Sequence, residues 1–308
     1  MKTKRAPMTS TAEEASAGVD LRGRCAIVTG ANTGIGLETA RVLALRGSHV
    51  IMACRDVAKA TAARERLLDA GTGLSGDRLE VAALDLGSLA SVRAFAAGWM
   101  ESNRPLHLLV NNAGIMIPDR RLTSDGFEAH LGVNHLGHFL LTSLLVDRLR
   151  ASAPARIVTV ASDAMHWAAF DGTCTDMNWE ARRFRGMRAY GDSKLMNLLF
   201  TAELNRRLAG TGIASYALHP GIVQTELARD QPWWMLPIGL AMWPFMKTVP
   251  QGAATTIHVA TAPALATVGD DIYFADCVPN RQPKLARDPR VAATLWQRSE
   301  EMTGLCHS

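Results

Sequence analysis

Residues 25–36 constrain this chain more than any others. Cys25-Ala-Ile-Val-Thr29 is an unbroken, mostly apolar run, and it leads straight into Gly30-Ala31-Asn32-Thr33-Gly34-Ile35-Gly36. A strand buried on both faces reads this way, and such strands belong to parallel sheets covered by helices. A helix pattern follows and Gly47 closes it. Gly30 permits a tight turn, Gly34 lets backbone approach a pyrophosphate, and Gly36 lets the helix pack close to the sheet. The helix start adds free N–H donors and the positive end of its dipole. Glycines are ordinary in turns. Between a first strand and a first helix they read as a phosphate cradle, with Asn32, Thr33 and Ile35 as its other cofactor-lining residues.

The alternation continues. Strands are expected at 49–54, 79–84, 106–110, 156–161, 213–218 and 272–275, and helices near 57–70, 88–102, 124–149 and 188–209. Strands alternating with helices predict an α/β, doubly wound parallel sheet, with ligands at the carboxyl ends of the strands. No linker divides the chain, so one domain is expected over 21–308, after a flexible leader at 1–20. That leader has Lys2, Lys4 and Arg5 but no apolar core behind them, unlike a secretory signal.

Composition excludes several classes. A net charge of only +4, with no long basic run, argues against a nucleic-acid partner. The five cysteines are odd in number and lack Cys-x-x-Cys spacing. A disulfide framework or zinc site is therefore not expected, and the setting reads as reducing and cytoplasmic. The histidines show no metal spacing, and His135 and His138 read as packed side chains; no metal is expected.

The residues after each strand carry the chemistry. After the second strand, Arg55 can pair with a ribose 2′-phosphate, which favours NADP(H) and leaves NAD(H) open. Its bland reading is a solvated arginine, and Asp56 beside it can cap the next helix. After the third, Asp85 can hydrogen-bond an adenine amine or simply cap a turn; Leu86 lies beside it. After the fourth, Asn112-Ala113-Gly114 brings backbone close to a ribose or forms an ordinary turn. Tyr190 and Lys194 are four apart, on one helix face. A free tyrosine, with a pKa of about 10, is a poor base at neutral pH, and a nearby ammonium favours its phenolate. Ser162, after the fifth strand, can bind a carbonyl oxygen or cap a turn. Asn134 sits mid-helix, where asparagine is a poor helix former. It reads as a satisfied core amide or as the holder of a water relay toward Lys194.

With these residues placed, the chain resembles the short-chain dehydrogenase/reductase family over about 21–302, and within it the retinol-dehydrogenase-like branch. The motifs run in order: Thr29-Gly30-x-x-x-Gly34-x-Gly36, Asn111-Asn112-Ala113-Gly114, Asn134, Ser162, Tyr190-x-x-x-Lys194, and Pro220-Gly221 with Thr225. The branch likeness rests on Ala53-Cys54-Arg55-Asp56, on Val133-Asn134-His135-Leu136-Gly137-His138-Phe139, and on Tyr273-Phe274-x-Asp276-Cys277. A long stretch between Ser162 and Tyr190 adds to it. Ala161 departs from relatives that carry a second serine there. The resemblance implies a Rossmann fold and an enzyme acting on CH–OH or carbonyl groups. It implies Tyr190 as acid/base, Lys194 as its modulator and ribose ligand, Ser162 on the carbonyl oxygen, and Asn134 on a relay water. Pro220, Gly221, Val223 and Thr225 would line the nicotinamide, and dimers or tetramers are frequent in the family.

Residues 231–246 hold three tryptophans and no charge, but the run is too short and proline-broken to span a membrane. Three readings stand: a lid over a small lipophilic substrate about 226–250, peripheral membrane contact, or packing against the protein's own core or another copy. Trp167 and Trp179 are expected to join the same wall. Two other functions compete: a reductase of an unsaturated or tetrapyrrole-like substrate, and a nucleotide-binding regulatory protein without turnover.

Overall fold

Most strands of the central sheet are short, apolar and followed by a turn that launches a helix. The computed structural model describes residues 10–71, 73–224, 246–269 and 271–305. In chain order the main elements are α1 (Ala12–Ala15), β1 (Cys25–Thr29), α2 (Gly34–Leu45), β2 (His49–Cys54), α3 (Val57–Asp69), β3 (Leu79–Ala83), α4 (Leu89–Glu101), β4 (Leu108–Asn111), α5 (Gly137–Ala151), β5 (Ala155–Val160), α6 (Gly186–Arg207), β6 (Ile213–His219), α7 (Val249–Thr261), β7 (Tyr273–Ala275), β8 (Val278–Pro279) and α8 (Pro289–Thr303). The sheet order is β3-β2-β1-β4-β5-β6-β7-β8, parallel except for the antiparallel β7–β8 pair. The expected doubly wound, single-domain Rossmann architecture is the observed one.

Alternation of side chains splits the core across the sheet. Ala26 and Val28 face α2 and α7, whereas Ile27 faces α4, α5, α6 and α8. All five residues of β1 are buried. The order reverses between β1 and β4, so the crevice of the switch point opens above the glycine turn.

Three expectations need correction. The helix expected over 124–149 begins later, because Gly126 has φ +82° and Leu122 and Glu128 form an antiparallel bridge. The Glu128 carboxylate then accepts the N–H groups of His130 (3.0 Å) and Leu131 (3.0 Å). The first helical segment, His130–Leu136, is a π-helix, and α5 follows it. The leader expected to be flexible over 1–20 is ordered in part: α1 carries a Thr11/Glu14 capping box, buries Ala12 and packs on α2 and α7. Arg41 and Arg46 of the α2 region secure it through Glu13 and Ser16. Finally, α7 and α8 follow residue 218, where no helix was expected.

Candidate active site

The cofactor crevice is built from two turns pressed together. Gly30 has φ +64°, and a Cβ there would stand 3.0 Å from Ala113 Cα. A Cβ on Gly36 would stand 2.4 Å from both Gly30 O and Asn112 Nδ2. At Gly36 no side chain fits, and at Gly30 the left-handed backbone and the close Ala113 contact both favour glycine. Asn112 Nδ2 donates to Thr29 O (2.8 Å), while Thr29 Oγ1 accepts the N–H groups of Asn112 (2.9 Å) and Ala113 (3.0 Å). Thr33 is the N-cap of α2, and its side chain does not cap the helix. The first-turn amides are thus left for an anion, which is the cradle a dinucleotide's pyrophosphate requires.

Around this cradle the other expected residues divide. Arg55 is exposed and makes no hydrogen bond or ion pair among the described residues. Asp56 caps α3 by accepting from Lys59 N (3.0 Å). Asp85 Oδ1 accepts from Gly87 N (2.9 Å), and Leu86 is buried beside it. Pro220, Gly221 and Val223 follow β6. Thr225 and the tryptophan-rich run, apart from Met246, lie outside the described residues.

Tyr190 and Lys194 sit on the buried face of α6. Gly191 lets that helix approach the turn after β5, since a Cβ there would meet Ala164 O at 2.6 Å. The approach brings the Tyr190 phenol near the Ser162 side chain, which acts on its titration. Ser162 Oγ also accepts from Ala164 N (3.2 Å), so it serves the turn and faces the phenol together. Lys194 Nζ donates to Val160 O (2.9 Å) and lies 5.5 Å from the Tyr190 ring centre. The Asn134 side chain is held from both ends: Oδ1 accepts from Ile115 N (2.8 Å), and Nδ2 donates to Ile115 O (3.1 Å) and Ser193 Oγ (3.0 Å). A Cβ on Gly114 would stand 3.4 Å from both Asn134 Oδ1 and Lys194 Nζ. Four groups from three separate stretches of sequence therefore converge at the ends of β4 and β5.

Burial governs the titration of these groups. It pushes the Tyr190 phenol up to about 12, with the Ser162 hydrogen bond opposing the rise. It pulls the Lys194 ammonium down to about 8. The sequence expectation of a lowered phenol is therefore not met by the chain's own groups, because desolvation outweighs them.

A family model described as "short chain dehydrogenase" matches residues 24–174. Human "Retinol dehydrogenase 12" is 46% identical over 292 residues, covering 93% of this chain and 88% of that protein. The chain is a short-chain dehydrogenase/reductase. This dehydrogenase/reductase falls in the retinol-dehydrogenase-like branch, as the sequence motifs imply. It is also 42% identical to the "WW domain-containing oxidoreductase" of Danio rerio, over 98% of this chain and 74% of that one. A solved structure from Mycobacterium Paratuberculosis matches at a TM-score of 0.75 and 39% identity, over 94% of this chain and 97% of that one. A short chain dehydrogenase from Burkholderia cenocepacia, solved in complex with NADP, matches at a TM-score of 0.62 and 25% identity, over 80% and 94% of the two chains. Members of this family use nicotinamide cofactors, and the glycine cradle suits one.

Sequence reasoning passed over three buried groups near the site. Asp192, between Tyr190 and Lys194, accepts the N–H groups of Ala169 (2.5 Å) and Phe170 (2.7 Å) and pairs with Arg182 (3.1 Å). It thereby ties the stretch between Ser162 and Tyr190 to α6. Glu128 and His130 form a buried pair at 2.8 Å, and the His130 ring meets the Tyr190 ring edge-on at 6.0 Å. An acidic residue on a helix face as buried as that of Tyr190 was the available signal for Asp192. Trp179 does not join an open wall: it is buried, with Arg182 3.8 Å above its ring.

Proposed function

We propose that this enzyme is NADP(H)-dependent and interconverts a lipophilic carbonyl compound and its alcohol, with Tyr190 as the acid/base. The observation that carries the reading is the meeting of Tyr190, Ser162 and Lys194 beside the glycine cradle. A bound nicotinamide cofactor would supply hydride to the substrate carbon. Ser162 holds the carbonyl oxygen at the phenol, and Tyr190 gives its proton to the alkoxide as it forms. A phenol pushed up to about 12 keeps its proton at neutral pH, which suits reduction. For oxidation, the Lys194 ammonium would favour the phenolate. Lys194 also presents N–H groups for a ribose, and Asn134 fixes the Gly114–Ile115 backbone beside it.

The preference for NADP(H) rests on Arg55, whose exposed guanidinium is free to take a 2′-phosphate. Lipophilic substrate rests on placement of apolar surface. Six large hydrophobic side chains are exposed among the described residues, and Trp167, Met187 and Ile222 each lie within five residues of Ser162, Tyr190 or Gly221. Large apolar side chains left exposed near a site suit a contact surface. The tryptophan-rich 231–246 run is proposed to extend it as a lid, and a shallow membrane contact uses the same surface. No helix among the described residues is long and apolar enough to cross a membrane.

The test is a turnover screen of apolar aldehydes, ketones and alcohols with NADPH or NADP, beside NADH or NAD. Oxidation of NADPH with apolar carbonyls, faster than with short polar ones, is expected. Tight NADPH binding with no oxidation across the panel would instead support a regulatory nucleotide-binding protein.

A further inference from the structure

The His138 imidazole is fully buried and bridges two parts of the molecule that the catalytic scheme treats separately. Its Nδ1 lies 3.0 Å from Asn134 O, and its Nε2 lies 2.9 Å from Thr29 Oγ1. The partners of the two ring nitrogens set their roles. A carbonyl only accepts, so Nδ1 carries the hydrogen. Burial holds the ring down to about 3, so it is neutral and Nε2 is a bare acceptor. Thr29 therefore donates its hydroxyl hydrogen to Nε2, in preference to Val110 O at 3.3 Å. Its two lone pairs take the N–H groups of Asn112 and Ala113. Each hydrogen-bonding position of the Thr29 hydroxyl is then used, and His138 fixes its direction.

The two ends of this chain of bonds are the cofactor cradle and the active-site backbone. Asn112 and Ala113 form the wall against which Gly30 and Gly36 pack. Asn134 belongs to the π-helical segment, where Gly137 N reaches back to Gly132 O, and its side chain clamps Ile115 from both sides. Residues 112–115 are thus held at one end through Thr29 and at the other through Asn134, and His138 connects the two holds.

We propose that His138 is a positioning residue that couples the dinucleotide cradle to the active-site π-helical segment, by orienting the Thr29 hydroxyl and bracing the Asn134 carbonyl. The proposal rests on the reading of the glycine crevice as the nicotinamide-dinucleotide site. It gives the second histidine of the Asn-His-Leu-Gly-His run a task that neither metal binding nor acid/base chemistry supplies.

The test uses the full chain and the variants His138→Val, His138→Asn, Thr29→Val and the double variant Thr29→Val/His138→Val. Amide hydrogen exchange over residues 111–115 is read in the cofactor-free protein, and NADPH affinity by fluorescence titration. His138→Val should speed exchange at Asn112 and Ala113 about tenfold, the scale of one or two buried hydrogen bonds. NADPH affinity should fall by a similar factor, although the side chain is separated from the crevice by Thr29. The double variant should be no worse than Thr29→Val, because both substitutions break one chain of bonds. His138→Asn, able to keep the bond to the Asn134 carbonyl, should lie between. If His138→Val fails to fold, His138→Asn carries the comparison. Unchanged exchange at 111–115 in a folded variant, or fully additive losses in the double variant, would overturn the proposal. Wild-type protein that binds no NADPH would remove the dinucleotide reading, and the exchange measurement would still judge His138.

Discussion

Lys194 Nζ and the carbonyl oxygen of Val160 meet at 2.9 Å, which fixes the ammonium of α6 at the carboxyl end of β5. Ser162 follows that strand by two residues, so one hydrogen bond sets the separation between the ammonium and the serine turn. The phenol one helical turn before Lys194 then has little freedom about where it points, since Gly191 presses the helix onto Ala164. Geometry of this kind, fixed before substrate arrives, is where positioning catalysis gains its rate.

Removing the phenol hydroxyl should separate chemistry from binding. Tyr190→Phe keeps the ring and its edge contact with His130 but has no proton to give. Turnover is expected to fall by about 10²–10⁴, the usual range for a general acid. NADPH affinity should stay close to wild type. Steady-state kinetics beside a binding titration check both, and near-normal turnover would reject the acid/base assignment.

The buried ammonium makes stability depend on pH in a defined direction. Lys194 is pulled down to about 8 in the folded protein, against about 10.4 for an ordinary lysine. Between those values the unfolded chain binds more protons, so stability from this group rises with pH; below pH 8 its burial cost is present in full. Buried Cys25, Cys54 and Cys174, each pushed up to about 11, act in the opposite sense at higher pH. The useful quantity is therefore a difference. Wild type should gain on Lys194→Met in denaturant unfolding between pH 8 and pH 10. A pH-independent difference would contradict the assignment.

Asp192 gives a second, opposite case. Burial raises its carboxyl to about 6 despite the Phe170 and Ala169 amides that bond it. Its contribution to stability is thus greatest below the ordinary carboxylate range and declines as pH rises through 6. Asp192→Ala strands two backbone N–H groups and should cost about 2 kcal/mol or more. Asp192→Asn retains an acceptor and should cost less, with its deficit relative to wild type shrinking as pH rises from 5 to 7. Limited proteolysis within 163–185 should follow the same ranking, and equal behaviour of the two variants would count against this tie.

The proposed preference for NADP(H) turns on Arg55. Arg55→Ala should weaken NADP binding roughly tenfold or more, the scale of a charge-assisted hydrogen bond, and leave NAD nearly unchanged. Titration with both cofactors decides it. Equal losses for the two would remove the 2′-phosphate site.

Much of this protein was determined by its sequence alone, because the decisive signals are local. The apolar run Cys25–Thr29 and the glycines behind it need only their neighbours to be read as strand, turn and helix start. Tyr190 and Lys194 share a face because a helix repeats every 3.6 residues. Other features were decided only by the tertiary structure. Helix formation at residue 130, and not at 124, depends on the Glu128 carboxylate folding back onto the first turn. The ordered α1 depends on Arg41 and Arg46, which lie some thirty residues away in sequence. The link from Thr29 through His138 to Asn134 spans 109 residues and exists only once β1 lies beside α5. The raised phenol of Tyr190 likewise follows from desolvation by surrounding chain, a sum over the whole packed interior that no short motif contains.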